Sequence, residues 1–167
     1  MDKARAALTQ LKTNPAAIDA VFEAVCRDIV DHVQSTRASV WHLNGVQDAI
    51  TCAALFDSRD GSVQRGTKLD EESFPEYFAA IKRDLRIVAE DAAQHPATSC
   101  FDEVYFTPLD IRSLLDVCVV VGGQPVAVLC CEHCGTVRPW TAEDIAYLDK
   151  MGALLGMALK QQLKAAA

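Results

Sequence analysis

The strongest constraint on the fold comes from two apolar runs that are separated by a pair of glycines. Residues 114–121 (LLDVCVVV) and 126–131 (VAVLCC) are nearly all apolar, and Gly122-Gly123 lies between them. Such a pair favours a tight hairpin turn, whose central residues adopt positive φ angles. Strands without polar alternation are covered on both faces. We therefore predict a buried central hairpin, with Pro125 at the first position of its second strand.

The rest of the chain predicts elements that cover this hairpin on both sides. Apolar residues after Asn14 recur every three or four positions, as in an amphipathic helix, and short β-branched runs predict further strands. The predicted elements are a helix from Asn14-Pro15 to about residue 36, strands 38–43 and 49–56, a polar loop 57–66, a helix capped by Ser73 that ends near Asp84, a strand 85–89, an irregular crossover 90–110 with a short helix around 100–105, the hairpin, and a last helix from Thr141.

The last helix carries a heptad-like seam. Thr141 and Asp144 resemble a capping box, with Asp in the usual place of Glu. The seam consists of Ile145, Leu148, Gly152, Leu155 and Leu159. Because this spacing is typical of helices that pair, we expect a homodimer formed through the terminal helices.

Together these elements predict one α/β (α+β) domain over residues 1–167, with its core at about 15–163. Short connections between the strands favour a mostly antiparallel sheet of five to six strands. The N- and C-terminal helices would cover one face, and the middle helix with the crossover would cover the other. A cavity between the sheet and the crossover is then the natural place for a ligand.

Charge and cysteine usage narrow the possible partners. The net charge is −7 and no Lys/Arg cluster is present, which excludes nucleic acid as an expected partner. No apolar stretch reaches about 18 residues, and the first ten residues have no apolar core of a signal peptide, so we expect no direct membrane contact. An odd number of scattered cysteines, seven in all, favours a reducing cytoplasm over a disulfide framework.

Several short motifs, taken in order, resemble the GAF domain family, in particular GAF domains of bacterial sensor histidine kinases and diguanylate cyclases. They are 37–41 (RASVW), 75–77 (PEY), 87–91 (IVAED) followed by His95-Pro96, 111–117 (IRSLLDV), 128–133 (VLCCEH) and 138–144 (RPWTAED). Two positions depart from the family pattern, with Ala127 where Gly is frequent and Cys118 where Pro is usual. The resemblance implies a GAF fold and a non-catalytic sensory or regulatory domain that binds a small molecule and acts on a kinase or cyclase effector domain.

The candidate ligand-binding residues lie around the crossover and the hairpin. They are Tyr77, Phe78, Asp91, Phe101, Tyr105, Ser113, Asp116 and Cys118. The aromatic side chains fit a cavity wall and an ordinary core equally well. Asp91 and Asp116 could act as paired carboxylates, although such residues more often cap turns. The sequence names neither the ligand nor a cofactor.

Cysteine and histidine residues raise three further possibilities. Cys131, His133 and Cys134 have the spacing of half a zinc site or a CxxC redox motif, but strand alternation sends Cys130 and Cys131 to opposite faces. We therefore interpret Cys130 and Cys131 as packing in the sheet, and Glu132, His133 and Cys134 as the edge of a loop. His95 could ligate haem but fits a turn better. Cys100 lies near the position where GAF-fold free methionine-(R)-sulfoxide reductases place a key cysteine, but the upstream cysteines of those enzymes are missing, since this chain has none between Cys52 and Cys100. That enzyme and a ligand-free dimerisation module are the alternatives to a sensory domain.

Overall fold

The computed structural model describes residues 1–165, apart from the side chains of Pro15 and residues 163–165, and within this range it contains five α-helices and seven β-strands. The helices are α1 (Asp2–Leu11), α2 (Ile18–Val33), α3 (Pro75–Asp84), α4 (Thr107–Leu109) and α5 (Ala142–Ala165). The strands are β1 (Arg37–Leu43), β2 (Ala49–Asp57), β3 (Val63–Gln64), β4 (Lys68–Asp70), β5 (Arg86–Ala89), β6 (Ile111–Val121) and β7 (Gln124–Cys134). Two 3₁₀ turns (Pro15–Ala17 and Ser99–Phe101) and a π-helical turn (Asp102–Phe106) complete the described chain.

All strands join one antiparallel sheet in the order β3-β2-β1-β7-β6-β5, and β4 also pairs with β2. The long β6–β7 hairpin lies inside the sheet, as its apolar composition predicted. Gly122 and Gly123 form its two-residue turn with φ angles of 61° and 82°. The predicted antiparallel architecture is confirmed.

The sheet separates two apolar cores. Helices α1, α2 and α5 cover one face, where Leu115, Leu129 and Cys131 point toward them. Helix α3 and the crossover segment (residues 90–110) cover the other face, where Leu114 and Cys130 point. Successive residues of one strand therefore belong to different cores, as strand geometry requires.

The N-terminal cap predicted from the sequence is present at helix α5 but not at helix α3. Asp144 N–H donates to Thr141 Oγ1 (3.1 Å) and Thr141 N–H donates to Asp144 Oδ2 (3.0 Å), so the predicted capping box at α5 is present. The prediction that Ser73 caps α3 is wrong. The N-cap is Phe74, and the Ser73 N–H instead donates to Asp70 Oδ1 (2.9 Å), which closes the preceding turn.

The predicted polar loop 57–66 also needs correction, because it contains strand β3. Val63 and Gln64 pair with Phe56 and Leu55, and β4 then pairs with the beginning of the same strand β2. The two short strands form one interrupted edge strand. Gly66, with a φ of 87°, lies at the interruption, where its positive φ favours glycine.

The seam of α5 packs against its own sheet. Leu148, Leu155 and Leu159 are buried in the helical core, and Gly152 lies against Leu129 and Val119. These residues are therefore already covered within one chain. The exposed face of α5 is formed by other residues, among them Ala146, Ala153 and Met157. Within residues 1–165, no helix is both long enough and apolar enough to cross a membrane.

The close packing at Gly152 leaves room for one methyl group. A Cβ there would lie 3.8 Å from Leu129 Cδ1 and 4.0 Å from Val119 Cγ2, which is ordinary contact. Because glycine costs about 0.5–1 kcal/mol relative to alanine inside a helix, we expect Gly152→Ala to raise the free energy of unfolding by that amount. Urea denaturation measures the change. Ala153→Gly, at an exposed position of the same helix, should lower stability by a similar amount, and a loss of stability in Gly152→Ala would contradict this packing.

Candidate ligand-binding cavity

A cavity of about 400 Å³ lies between the sheet and the crossover segment. This volume falls within the range of about 300–1,000 Å³ that is typical of small-molecule sites. The lining residues are Trp41, Ile50, Thr67, Lys68, Leu69, Phe74, Tyr77, Phe101, Val104, Tyr105, Phe106, Leu114, Asp116, Cys130 and Glu132. The cavity occupies the place expected from the order of the elements.

Aromatic rings form the wall that faces the sheet. The ring of Phe101 lies 4.4 Å from that of Phe74, 5.1 Å from that of Tyr77 and 5.8 Å from that of Phe106, measured between centroids. Phe101 ends a 3₁₀ turn, and Phe106 ends the π-helical turn that follows. The irregular helical path of the crossover brings these rings together, and π-helical turns are frequent at functional sites.

Asp116 of β6 is a buried carboxyl group that lines the cavity, with 1% of its surface exposed. Its Oδ2 accepts a hydrogen bond from the Tyr77 hydroxyl (2.6 Å), whereas its Oδ1 has no hydrogen-bond partner among the described residues. Burial raises the pKa of Asp116 to about 7, against the lowering effect of the Cys130 thiol and the Tyr77 hydroxyl. A carboxyl group with such a pKa changes its charge near neutral pH.

A second buried carboxyl group, Glu132 of β7, is paired with Arg37 on the neighbouring strand β1. The two residues are register partners, and Arg37 Nη1 lies 3.2 Å from Glu132 Oε2. Both are buried, at 3% and 2% exposure. Burial raises the pKa of Glu132, and the Arg37 guanidinium opposes this shift.

The ion pair continues away from the cavity to the crossover. Arg37 Nε lies 3.4 Å from Asp57 Oδ2. The Asp57 carboxylate also accepts hydrogen bonds from the Arg59 side chain, including one from Nε to Oδ1 (3.0 Å) and one from Nη2 to Oδ2 (2.7 Å). Arg59 Nη1 also donates to the carbonyl of Leu109 at the end of the crossover (3.1 Å). One chain of charges thus connects the cavity floor to the segment that covers it.

The polar end of the cavity has unused hydrogen-bonding capacity. In the part of the chain that the structure describes, Asp116 Oδ1, the Tyr105 hydroxyl and Glu132 Oε2 are buried without a hydrogen bond of good geometry. Glu132 Oε2 still has Arg37 Nη1 at 3.2 Å, and the nearby Tyr105 hydroxyl lowers the pKa of Glu132, so Asp116 Oδ1 is the atom with the fewest contacts. Buried polar groups without partners are uncommon in folded proteins, so each needs an explanation. These three groups all line the same cavity, which makes them candidate contacts for a ligand.

The structure brings half of the predicted site residues together. Tyr77, Phe101, Tyr105 and Asp116 line the cavity. The other four, which are Phe78, Asp91, Ser113 and Cys118, do not. Phe78 is core, Asp91 is exposed in the crossover, Ser113 donates to the carbonyl of Glu90, and the Cys118 thiol contacts the carbonyl of Ile81.

The cysteine and histidine candidates lie elsewhere. Cys131 packs in the helical core and Cys130 faces the cavity, so strand alternation separates them as predicted. Among the described residues, no three His, Cys, Asp or Glu side chains come together to hold a metal ion. His95 Nδ1 accepts a hydrogen bond from the Ala97 N–H within a turn. Cys100 is half-buried, and burial raises the pKa of its thiol.

Neither Glu132, which lines the cavity, nor its ion-pair partner Arg37 was selected from the sequence. Glu132 was interpreted as the edge of a loop, yet β7 extends to Cys134 and holds it inside the sheet. The sequence did contain a signal for a buried ion pair at Glu132. A charged residue directly after an apolar strand run must either leave the sheet or find a buried partner. Trp41, Phe74 and Lys68 were not selected because their proximity depends on the fold.

A sequence model described as "GAF domain" matches residues 17–159. No curated protein matches the chain.

Solved structures share the fold at low identity. The GAF domain of the Acinetobacter phosphoenolpyruvate-protein phosphotransferase is 14% identical with a TM-score of 0.70, and the match covers 99% of this chain and 95% of that one. The blue-light absorbing form of the Thermosynechococcus elongatus PixJ GAF domain is 18% identical with a TM-score of 0.71, and the match covers 89% of this chain and 90% of that one. Residues 122 to 287 of a methyl-accepting chemotaxis protein are 14% identical with a TM-score of 0.69, and the match covers 96% of this chain and 99% of that one.

Proposed function

The chain belongs to the GAF domain family, and from this premise we propose that it is a non-catalytic sensory domain of bacterial signal transduction. Its ligand is a small molecule that enters the cavity between the sheet and the crossover. The similar structures include GAF domains of a photoreceptor and a phosphotransferase and part of a chemotaxis protein, all of which fit a sensory role.

The observation that carries this proposal is the cavity with its unpartnered polar end. A GAF domain that served only as a dimerisation module would have no reason to keep about 400 Å³ of open space beside buried carboxyl groups. Burying a polar group without a partner costs about 1–3 kcal/mol. A ligand that supplies the missing hydrogen bonds would offset that cost and favour one state of the crossover.

A route for the signal runs through the sheet. The ligand would contact Asp116 on β6, and the same strand packs through Val119 against Gly152 of α5. Arg59 also links the cavity floor to the crossover. We propose that occupancy shifts these contacts and that α5 carries the change to a kinase or cyclase effector domain.

We further propose a homodimer through the terminal helices and a cytoplasmic location. Because the α5 seam is buried in its own core, the dimer would use the exposed face that contains Ala146, Ala153 and Met157. The location is supported by the free cysteines, seven in the described chain, which fit a reducing compartment.

Native mass spectrometry of freshly purified protein tests ligand and subunit count in one measurement. We expect two subunits and a bound small molecule. Val104 lines the cavity and is 66% exposed, so Val104→Trp should obstruct the entrance and remove the bound mass. Val46→Trp, at a position 76% exposed in the β1–β2 turn, should retain it.

Two outcomes would count against the proposal. A monomer at every accessible concentration would contradict the homodimer. A wild-type protein without a bound molecule that is also stabilised by no compound in a thermal-shift screen would contradict the ligand-binding role.

A further inference from the structure

The cavity combines aromatic walls with two buried groups that can only accept hydrogen bonds when ionised. Both residues, Asp116 and Glu132, line the cavity. Asp116 Oδ1 has no hydrogen-bond partner within residues 1–165, whereas Glu132 Oε2 lacks a hydrogen bond of good geometry but has Arg37 Nη1 at 3.2 Å. An ionised carboxylate is an acceptor without a donor of its own. A ligand that satisfies these atoms must therefore bring N–H or O–H donors to this end of the cavity.

The charge balance distinguishes between the two carboxylates. Arg37 lies beside Glu132, and Arg37 and Arg59 together lie beside Asp57, so two cations face two anions in this chain. In the described chain Asp116 has no ion pair, and its neighbours Tyr77 and Cys130 are neutral groups. When it is ionised, Asp116 is the anion of the cavity floor that lacks a cation.

The only cationic side chain among the described lining residues is Lys68. It is exposed on the edge strand β4, and it has no ion pair in the part of the chain that the structure describes. The six aromatic residues of the lining, Trp41, Phe74, Tyr77, Phe101, Tyr105 and Phe106, offer a surface for a flat apolar body. Their ring faces also attract a positive charge.

We propose that the cavity selects a protonated amine attached to an aromatic or similarly apolar body, with the ammonium group donating to Asp116 Oδ1. This proposal rests on the proposed ligand-binding function and specifies the ligand class for the same site. A neutral alcohol could donate one hydrogen bond but would leave the charge of Asp116 uncompensated. A carboxylate ligand would be repelled by the uncompensated charge of Asp116.

The test compares three probes of nearly equal size: 2-phenylethylamine, 2-phenylethanol and phenylacetate. Their affinities are measured by calorimetry at pH 8, where Asp116 is largely ionised. We expect the amine to bind at least about tenfold more tightly than the alcohol, since a hydrogen bond to a charged group contributes that much or more. Phenylacetate should bind most weakly.

Asp116→Asn separates the role of charge from that of shape. Asparagine keeps the size of the side chain and can still accept from Tyr77, so affinity for the alcohol should stay within about twofold. Affinity for the amine should fall at least about tenfold. Asp91→Asn is the matched control, because it removes the same charge from an exposed crossover position outside the cavity and should leave all three affinities unchanged.

The possible failures are distinguishable. If the amine and the alcohol bind equally well, or if Asp116→Asn leaves the amine affinity unchanged, the amine proposal is overturned while the ligand-binding cavity stands. If none of the probes binds, the amine proposal is also overturned. In that case native mass spectrometry of the purified protein decides whether the ligand-binding function falls with it.

Discussion

Replacing Arg37 with methionine is expected to lower the free energy of unfolding by about 3–5 kcal/mol, because it leaves Glu132 buried beside an uncharged side chain. Arg37 lies 3.2 Å from Glu132 and 3.4 Å from Asp57, and all three are at least 94% buried. Asp57 keeps its contact with Arg59, but among the described residues Glu132 forms no ion pair with a second cation. Urea denaturation at pH 7 measures the loss.

Two further variants identify the cause of that loss. Arg37→Met combined with Glu132→Gln removes both charges and should recover more than half of the stability, since a buried charge without a partner is the costly state. Arg83→Met breaks an exposed pair with Asp84 and should change stability by less than about 1 kcal/mol. A double variant no more stable than Arg37→Met alone would show that the guanidinium acts through packing.

Replacing Asp116 with asparagine is expected to stabilise the protein at pH 8 by about 1–3 kcal/mol. The pKa of Asp116 is raised from its ordinary value of 3.8 to about 7, so the folded state binds this proton more tightly than the unfolded state does. The stabilisation from this group is therefore complete below about pH 4 and is lost as the pH rises through 7. Asparagine is neutral at every pH and escapes this loss.

The measurement is the free energy of unfolding between pH 4 and pH 8 for both proteins. The difference in favour of Asp116→Asn should grow over this range and level off above pH 7. Asp91→Asn, which changes an exposed carboxylate, should follow the wild type. Parallel curves for wild type and Asp116→Asn would refute the idea that Asp116 is held in a destabilising environment. If Asp116→Asn gains stability and also loses amine binding, the Asp116 carboxylate is a group that supports binding at the expense of the free energy of unfolding.

The fold was largely predictable because its signals are local. The apolar runs on either side of Gly122-Gly123 indicated a hairpin with both faces covered, and the pattern after Asn14 indicated an amphipathic helix. The failures are local as well. Ser73 had the right residue type for a cap, but the helix begins at Pro75, so the N-cap position falls on Phe74. The short strand at Val63 has too few residues for a periodic pattern.

The candidate site was predictable only in part, because its polar end depends on contacts between distant segments. Tyr77 and Asp116 were selected from residue type and position, yet their hydrogen bond joins residues 39 positions apart. Arg37 and Glu132 meet only through the register of β1 against β7. No local pattern encodes that register, and so the charge that balances Glu132 could not be assigned from the sequence.

The alternation of the hairpin residues between two cores has an evolutionary consequence. Positions such as Asp116, Cys130 and Glu132 contact the cavity, whereas their immediate neighbours Leu115 and Cys131 contact the helices. The cavity lining can therefore diversify at every second position while the intervening residues preserve the helical packing. A lineage of such domains could change the chemistry of the cavity without rebuilding the helical layer.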